Sequence, residues 1–208
     1  MRVESIEATR SPQGKKRVRF DNGISLLMPA SALAELGLYE GMEVPESAVA
    51  SIKDTCAKAS ARERAVRIVS ASAVSQRELE MRLVQKGERE EDAREAVQWL
   101  TELKLLDDRQ TAESIVRSGA AKGYGAARIR QMLYEKRIPR ELWDEALEQM
   151  PVQDDAIDAF LQRRFRGKTP DRAECKRATD ALLRRGHRWS DIRRALERYA
   201  PDEEFFDD

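Results

Sequence analysis

Adjacent carboxylates occur at Glu90-Glu91, Asp107-Asp108 and Asp154-Asp155, and such pairs can in principle share general acid and base work. Each falls at or near a predicted helix start, where the helix dipole and unpaired amides attract negative charge without catalysis. The chain has no GxSxG, Walker-type loop or HExxH. Lys122-Gly123-Tyr124-Gly125 precedes a predicted helix and could cradle a phosphate. It lacks the GKT or GKS ending of a nucleotide loop and reads better as a simple turn. Cys56 and Cys175 lie far apart with no CxxC partner, and His187 is the single histidine. That set argues against a metal site, and the thiols are expected to pack as small apolar groups in a reducing cytosol. No catalytic residue, cofactor, metal or small-molecule substrate is expected, and the chain is not read as an enzyme.

The basic residues are more suggestive, because they recur where predicted middle helices end or where helices approach each other. Lys86 and Arg89 come first, followed by Lys122, Arg128, Arg130, Lys136 and Arg137. They then thicken to Arg163, Arg164, Arg166, Lys168, Arg184, Arg185, Arg188, Arg193 and Arg194, with Phe165 and Trp189 among them. Cations with interleaved rings suit a phosphate backbone and unstacked bases. They suit an acidic protein surface equally well, and for the middle group a solvated face is the simpler reading. Trp143 falls on a predicted core position, Trp99 beside an apolar stripe where it could fill a joint between modules, and Trp189 among polar positions, as a contact ring would.

These residues are carried by a unit that occurs three times. Leu79, Leu83, Lys86, Gly87, Ala93, Ala96 and Val97 meet Ile129, Leu133, Lys136, Arg137, Trp143, Ala146 and Leu147 at an offset of 50. At an offset of 99 they meet Ala178, Leu182, Arg185, Gly186, Ile192, Ala195 and Leu196. Apolar residues at helical spacing within a period of roughly 45 to 50 residues predict a stacked helical array, a class that usually binds. Composition agrees: 37% of residues are charged and 41% hydrophobic, as small modules with much surface require. The net charge is zero, yet residues 151–200 hold 13 Lys and Arg against 8 Asp and Glu, and the last eight residues hold five acids. Such a tail could screen or compete for an anion site.

The fold expected is therefore mainly α, a tandem array of three three-helix, helix-turn-helix-like modules after a small β segment. Its parts are residues 1–56, containing a hairpin at Asn22-Gly23; modules at 57–107, 108–150 and 151–200; and an acidic tail, 201–208. Ser31 is expected to cap a short helix through Leu36, ended by Gly37. Residues 38–55 read ambiguously. Ser75 with Glu78, and Asp171 with Glu174, have capping-box spacing, and Asp92 is a candidate cap for the first module's third helix. In the second module, helices are expected over 109–119, 126–136 and 140–149, with Pro139 at the start of the last and Pro151 closing the module. No stretch approaches the ~20 apolar residues of a membrane span, and neither a leader nor a membrane partner is expected, so the location expected is cytoplasmic.

From about Ala57 to Ala200 the chain resembles the RecX family, bacterial modulators of the RecA recombinase. Ser75-x-x-Glu78-Leu79-x-x-x-Leu83-x-x-Lys86-Gly87 is similar to that family's first-module signature, and Leu105-Leu106-Asp107-Asp108 to its inter-module turn. Ala112 is similar to the alanine that follows this turn in the family, and Lys122-Gly123-Tyr124-Gly125 with Arg128 and Ile129 resembles its second-module entry. The chain departs at Thr111, where tyrosine is common, and at Arg137, where glycine usually follows the lysine; the latter puts one helix cap in question. The resemblance implies a non-enzymatic regulator in DNA repair by homologous recombination and the SOS response. It would bind RecA filaments on single-stranded DNA and restrain strand exchange and ATP hydrolysis, with single- or double-stranded DNA as a further partner. The alternative is a stand-alone DNA-binding protein with helix-turn-helix-like modules, which near-zero net charge disfavours.

Overall fold

The computed structural model describes residues 1–10, 14–150 and 153–199. Pro151 and the acidic tail lie outside the described residues. The chain forms two compact units, Met1–Leu106 and Asp107–Asp208.

The first unit opens with an antiparallel meander of β1 (Val3–Ala8), β2 (Lys16–Phe20) and β3 (Ser25–Met28). Val18 lies opposite Ile6 on one side and Leu26 on the other. Alternation along the strands buries Val3, Val18, Phe20 and Met28 on one face. The expected hairpin joins β2 to β3, with the Phe20 amide donating to the Ile24 carbonyl at 2.9 Å.

Helix α1 (Ala30–Glu35) follows and turns at Gly37, as expected. Its cap is not Ser31: Pro29 holds the N-cap position, and the Ser31 hydroxyl donates to Glu63 Oε1 at 2.8 Å. The ambiguous stretch resolves into a bridge of Glu43 to Arg2 and a 3-10 turn, Glu46–Ala48, leading into α2 (Val49–Ala71). The helix thus starts well before Ala57. Its first half closes the sheet's core with Ile52 and Cys56, while Ala61, Ala65, Ile68 and Val69 enter the first bundle. One helix serving two cores shows no single stripe along its length, which is why periodicity detected only its second half.

The first bundle is completed by α3 (Gln76–Gln85) and α4 (Glu90–Glu102), with Leu79, Leu83, Ala93, Ala96 and Leu100 in its core. Ser75 caps α3 by accepting from the Glu78 amide at 3.1 Å. Asp92 is not a cap: Arg89 holds that position, and Asp92 lies buried in the first turn of α4.

In the second unit, Asp107 caps α5 (Asp108–Ala121) by accepting from the amides of Arg109 and Gln110. Helix α6 (Ala126–Glu135) matches expectation, while the stretch expected as one helix from Arg140 divides into a 3-10 turn, Arg140–Leu142, and α7 (Trp143–Glu148). Ala112, Val116, Ile129, Leu133, Ile138 and Ala146 form this core, with Trp143 packed on it and donating through Nε1 to the Ile138 carbonyl at 3.0 Å. The third bundle is α8 (Gln153–Phe165), α9 (Arg172–Arg184) and α10 (Trp189–Leu196). Both halves of the Asp171–Glu174 capping box are present.

One device recurs in every copy. The middle helix ends on a left-handed residue, Gly87 (φ 91°), Arg137 (φ 56°) or Gly186 (φ 85°). Each left-handed amide donates to the carbonyl three residues back, of Val84, Tyr134 and Leu183. The following amides of Glu88, Ile138 and His187 reach the carbonyls of Leu83, Leu133 and Leu182. This paired closure satisfies carbonyls that the helix itself leaves open.

Candidate binding surface

The structure divides the basic candidates into structural and free cations. Arg89 is structural. Its guanidinium meets buried Asp92 at 2.6 and 2.9 Å and Asp54 of α2 at 2.6 Å, so it ties α4 to α2. The Asp54 carboxyl is held below its usual range, chiefly by the hydrogen bond from Arg89. Arg193 pairs with Glu197 at 3.2 Å, and Arg194 with Asp191 at 2.9 Å and Asp154 at 3.5 Å. Arg128 faces Glu135 at 3.7 Å, and Lys136 is half-buried and partnered.

Arg163 and Arg164 at the end of α8, Arg166 and Lys168 in the turn after it, Arg184 on α9 and Arg188 before α10 are all exposed. None makes an ion pair with a described residue. Lys86, Lys122 and Arg130 are likewise exposed and unpaired among the described residues. Trp189, 46% exposed, opens α10 beside Arg188. Phe165, by contrast, is buried in the third core, edge-on to Tyr199 at 5.6 Å.

Arg185 belongs to a joint between the second and third bundles that sequence reading missed. Its guanidinium sits over the Phe160 ring at 5.0 Å and its Nη1 reaches the Lys122 carbonyl at 3.5 Å. Its own carbonyl accepts from the Gly125 amide at 2.8 Å, and the Gly186 carbonyl accepts from the Ala127 amide at 3.2 Å. The open amides at the start of α6 are thus closed by carbonyls at the end of α9, so Lys122-Gly123-Tyr124-Gly125 is a turn packed in a joint. Two glycines permit the approach. A Cβ on Gly125 would lie 2.2 Å from the Gly186 carbonyl oxygen, and one on Gly186 would lie 2.2 Å from the Arg128 nitrogen. Gly125 stands 50 residues after Ser75, so the repeat gives up its own capping hydroxyl where another bundle supplies the cap.

Buried His187 completes the joint, with Nε2 3.1 Å from the Gly123 carbonyl. A carbonyl only accepts, so the ring proton belongs on Nε2. Nδ1 is buried without a hydrogen-bond partner among the described residues. Burial holds the imidazole below its ordinary value; the Gly123 hydrogen bond opposes this, Arg185 adds to it and Asp191 opposes it. Burial likewise pushes both thiols up, and Cys175 packs in the third core.

Within the first unit, Trp99 packs against the bundle core beneath Arg62 at 5.6 Å. It also lines a groove of about 480 Å³ with Ser31, Glu35, Glu63, Val66 and Arg67. The groove depends on the contact of α1 with α2, which no local spacing signals. Among the described residues, no helix is long and apolar enough to cross a membrane, and no cluster of three His, Cys, Asp or Glu could hold a metal ion.

Residues 107–147 match the model of the second three-helix domain of RecX. A Regulatory protein RecX of Vibrio campbellii is 33% identical over 140 residues, spanning 66% of this chain and 90% of the relative. One from Stenotrophomonas maltophilia (strain R551-3) is 37% identical over 132 residues, spanning 62% of this chain and 80% of the relative. The fold is similar to a crystal structure of a regulatory protein RecX, with a TM-score of 0.69 at 23% identity, covering 94% of this chain and 98% of that one. It is also similar to RecX from Lactobacillus salivarius, with a TM-score of 0.62 at 20% identity, covering 69% and 96%.

Proposed function

The chain belongs to the RecX family of regulatory proteins, and on that premise we propose that it binds RecA nucleoprotein filaments on single-stranded DNA and restrains strand exchange and ATP hydrolysis. The single observation that carries this reading is the triplicated bundle, built on equivalent buried positions and closed by the same helix-ending turn. Repeated units suit a repeated partner. Once one module has docked, the effective concentration of the next at its own subunit rises, so weak contacts combine without any one being strong. The free cations of the third bundle add steering toward an anionic surface.

Recombinase ATPase on single-stranded DNA tests this reading. Added chain is expected to inhibit it at substoichiometric ratios to recombinase, and unchanged turnover at a saturating dose would reject it. Six exposed cations of the third bundle that make no ion pair with a described residue, together with exposed Trp189 next to Arg188, favour a second contact, to DNA phosphates. A salt titration without recombinase separates the two, because phosphate-driven binding weakens steeply as salt rises.

A further inference from the structure

Three large apolar side chains are left in solvent at one position of the repeat. Val84, Tyr134 and Leu183 are 37%, 61% and 45% exposed, and each immediately follows the buried leucine Leu83, Leu133 or Leu182. Their backbones are fixed, because their carbonyls are the ones that the left-handed residue engages in each copy. Their side chains belong to none of the four cores. A helix stripe runs through residues four and seven positions apart, and on it each apolar residue has one exposed cation: Arg77 before Val84, Arg130 before Tyr134 and Lys176 before Leu183. None of these cations pairs with a described residue.

We propose that this position is the docking contact of each module, an apolar side chain with a cation on its stripe that enters an apolar depression edged by carboxylates on a repeating protein surface. The inference rests on the filament reading above and names the face of each bundle that meets it. Charge complementarity selects an acidic rim: the one carboxylate on these stripes, Glu80 four residues before Val84, is already paired with Arg94 at 3.3 Å, while Arg77, Arg130 and Lys176 make no ion pair with a described residue. The side-chain types select protein over nucleic acid: Val84 and Leu183 have no ring on which a base could stack. Recurrence of the position selects a partner that presents the same depression repeatedly.

The test uses the full chain with Val84→Ser, Tyr134→Ser and Leu183→Ser, singly and together, binding to pre-formed recombinase filaments by fluorescence anisotropy. Each single change is expected to weaken binding about 3- to 10-fold and the triple change about 100-fold or more. Thermal unfolding should stay unchanged because the side chains lie outside the cores. Leu103→Ser removes an equally exposed apolar side chain (51%) away from this position and should leave binding intact. Wild-type affinity in the triple variant, or an equal loss in Leu103→Ser, overturns the inference while the filament reading stands. Failure of the wild-type chain to bind filaments overturns both.

Discussion

At the scale of single residues, Arg137 carries a cost that its counterparts avoid. Its left-handed backbone (φ 56°) closes α6 as Gly87 closes α3, and a side chain there costs about 1–2 kcal/mol. Arg137→Gly is expected to stabilise the chain by about 1 kcal/mol, read as a higher urea midpoint at unchanged slope. His187 gives a signed pH dependence. Its imidazole is held below the ordinary 6.5 when folded, so below that value the unfolded chain binds more protons than the folded one. The stabilisation is therefore full above 6.5 and lost as pH falls through the folded value. Urea unfolding should show stability declining between about pH 7 and pH 5, and His187→Gln should flatten that decline. A wild-type profile no steeper than the variant's would refute the assignment. The repeated core positions were legible because equivalent residues recur at fixed offsets, whereas the left-handed turn at Arg137 (φ 56°) was not, since arginine stands there in place of a glycine. The role of His187 was not, since its partner Gly123 is 64 residues away and belongs to another bundle.

At the scale of elements, the junction of α9 with α6 shows how a repeat becomes a larger body. Helix ends that face solvent in an isolated module close each other here, donor amides against acceptor carbonyls, with opposite dipole ends adjacent. Gly87→Ala and Gly186→Ala form a matched pair. Both add a Cβ at a left-handed glycine, but only at Gly186 does it meet backbone atoms, while at Gly87 the space is open. Gly186→Ala should cost about 1–3 kcal/mol more, by overpacking of the joint, and should speed hydrogen exchange at the Gly125 and Ala127 amides. Equal costs would mean that the joint contributes nothing. Arg89 gives the converse separation: Arg89→Ala should lower the thermal midpoint, by leaving Asp92 buried without its partner, yet leave filament affinity intact. Sequence spacing located α5 and α6 and the starts of α3 and α9 within a few residues. It missed the start of α2 and the function of Arg89 for one reason: both depend on what the helix packs against, which no local pattern encodes.

At the scale of the whole molecule, zero net charge conceals a partition. Cations that bind elements together are matched by carboxylates at short distance, and among the basic candidates six of the exposed ones without an ion pair to a described residue belong to the third bundle. Composition gave the excess in that region but could not say which cations were already engaged. Which basic candidates are structural and which are available is decided by the fold, since the carboxylates that engage Arg89 and Arg194 include ones from other helices. The measurement that bears most directly on the central claim, that modules in series draw affinity from a repeating partner, is co-sedimentation of the chain with pre-formed filaments beside its binding to free recombinase at equal subunit concentration. Serial docking predicts that filaments are bound at least about 100-fold more tightly. Equal affinity for filament and free subunit would contradict it.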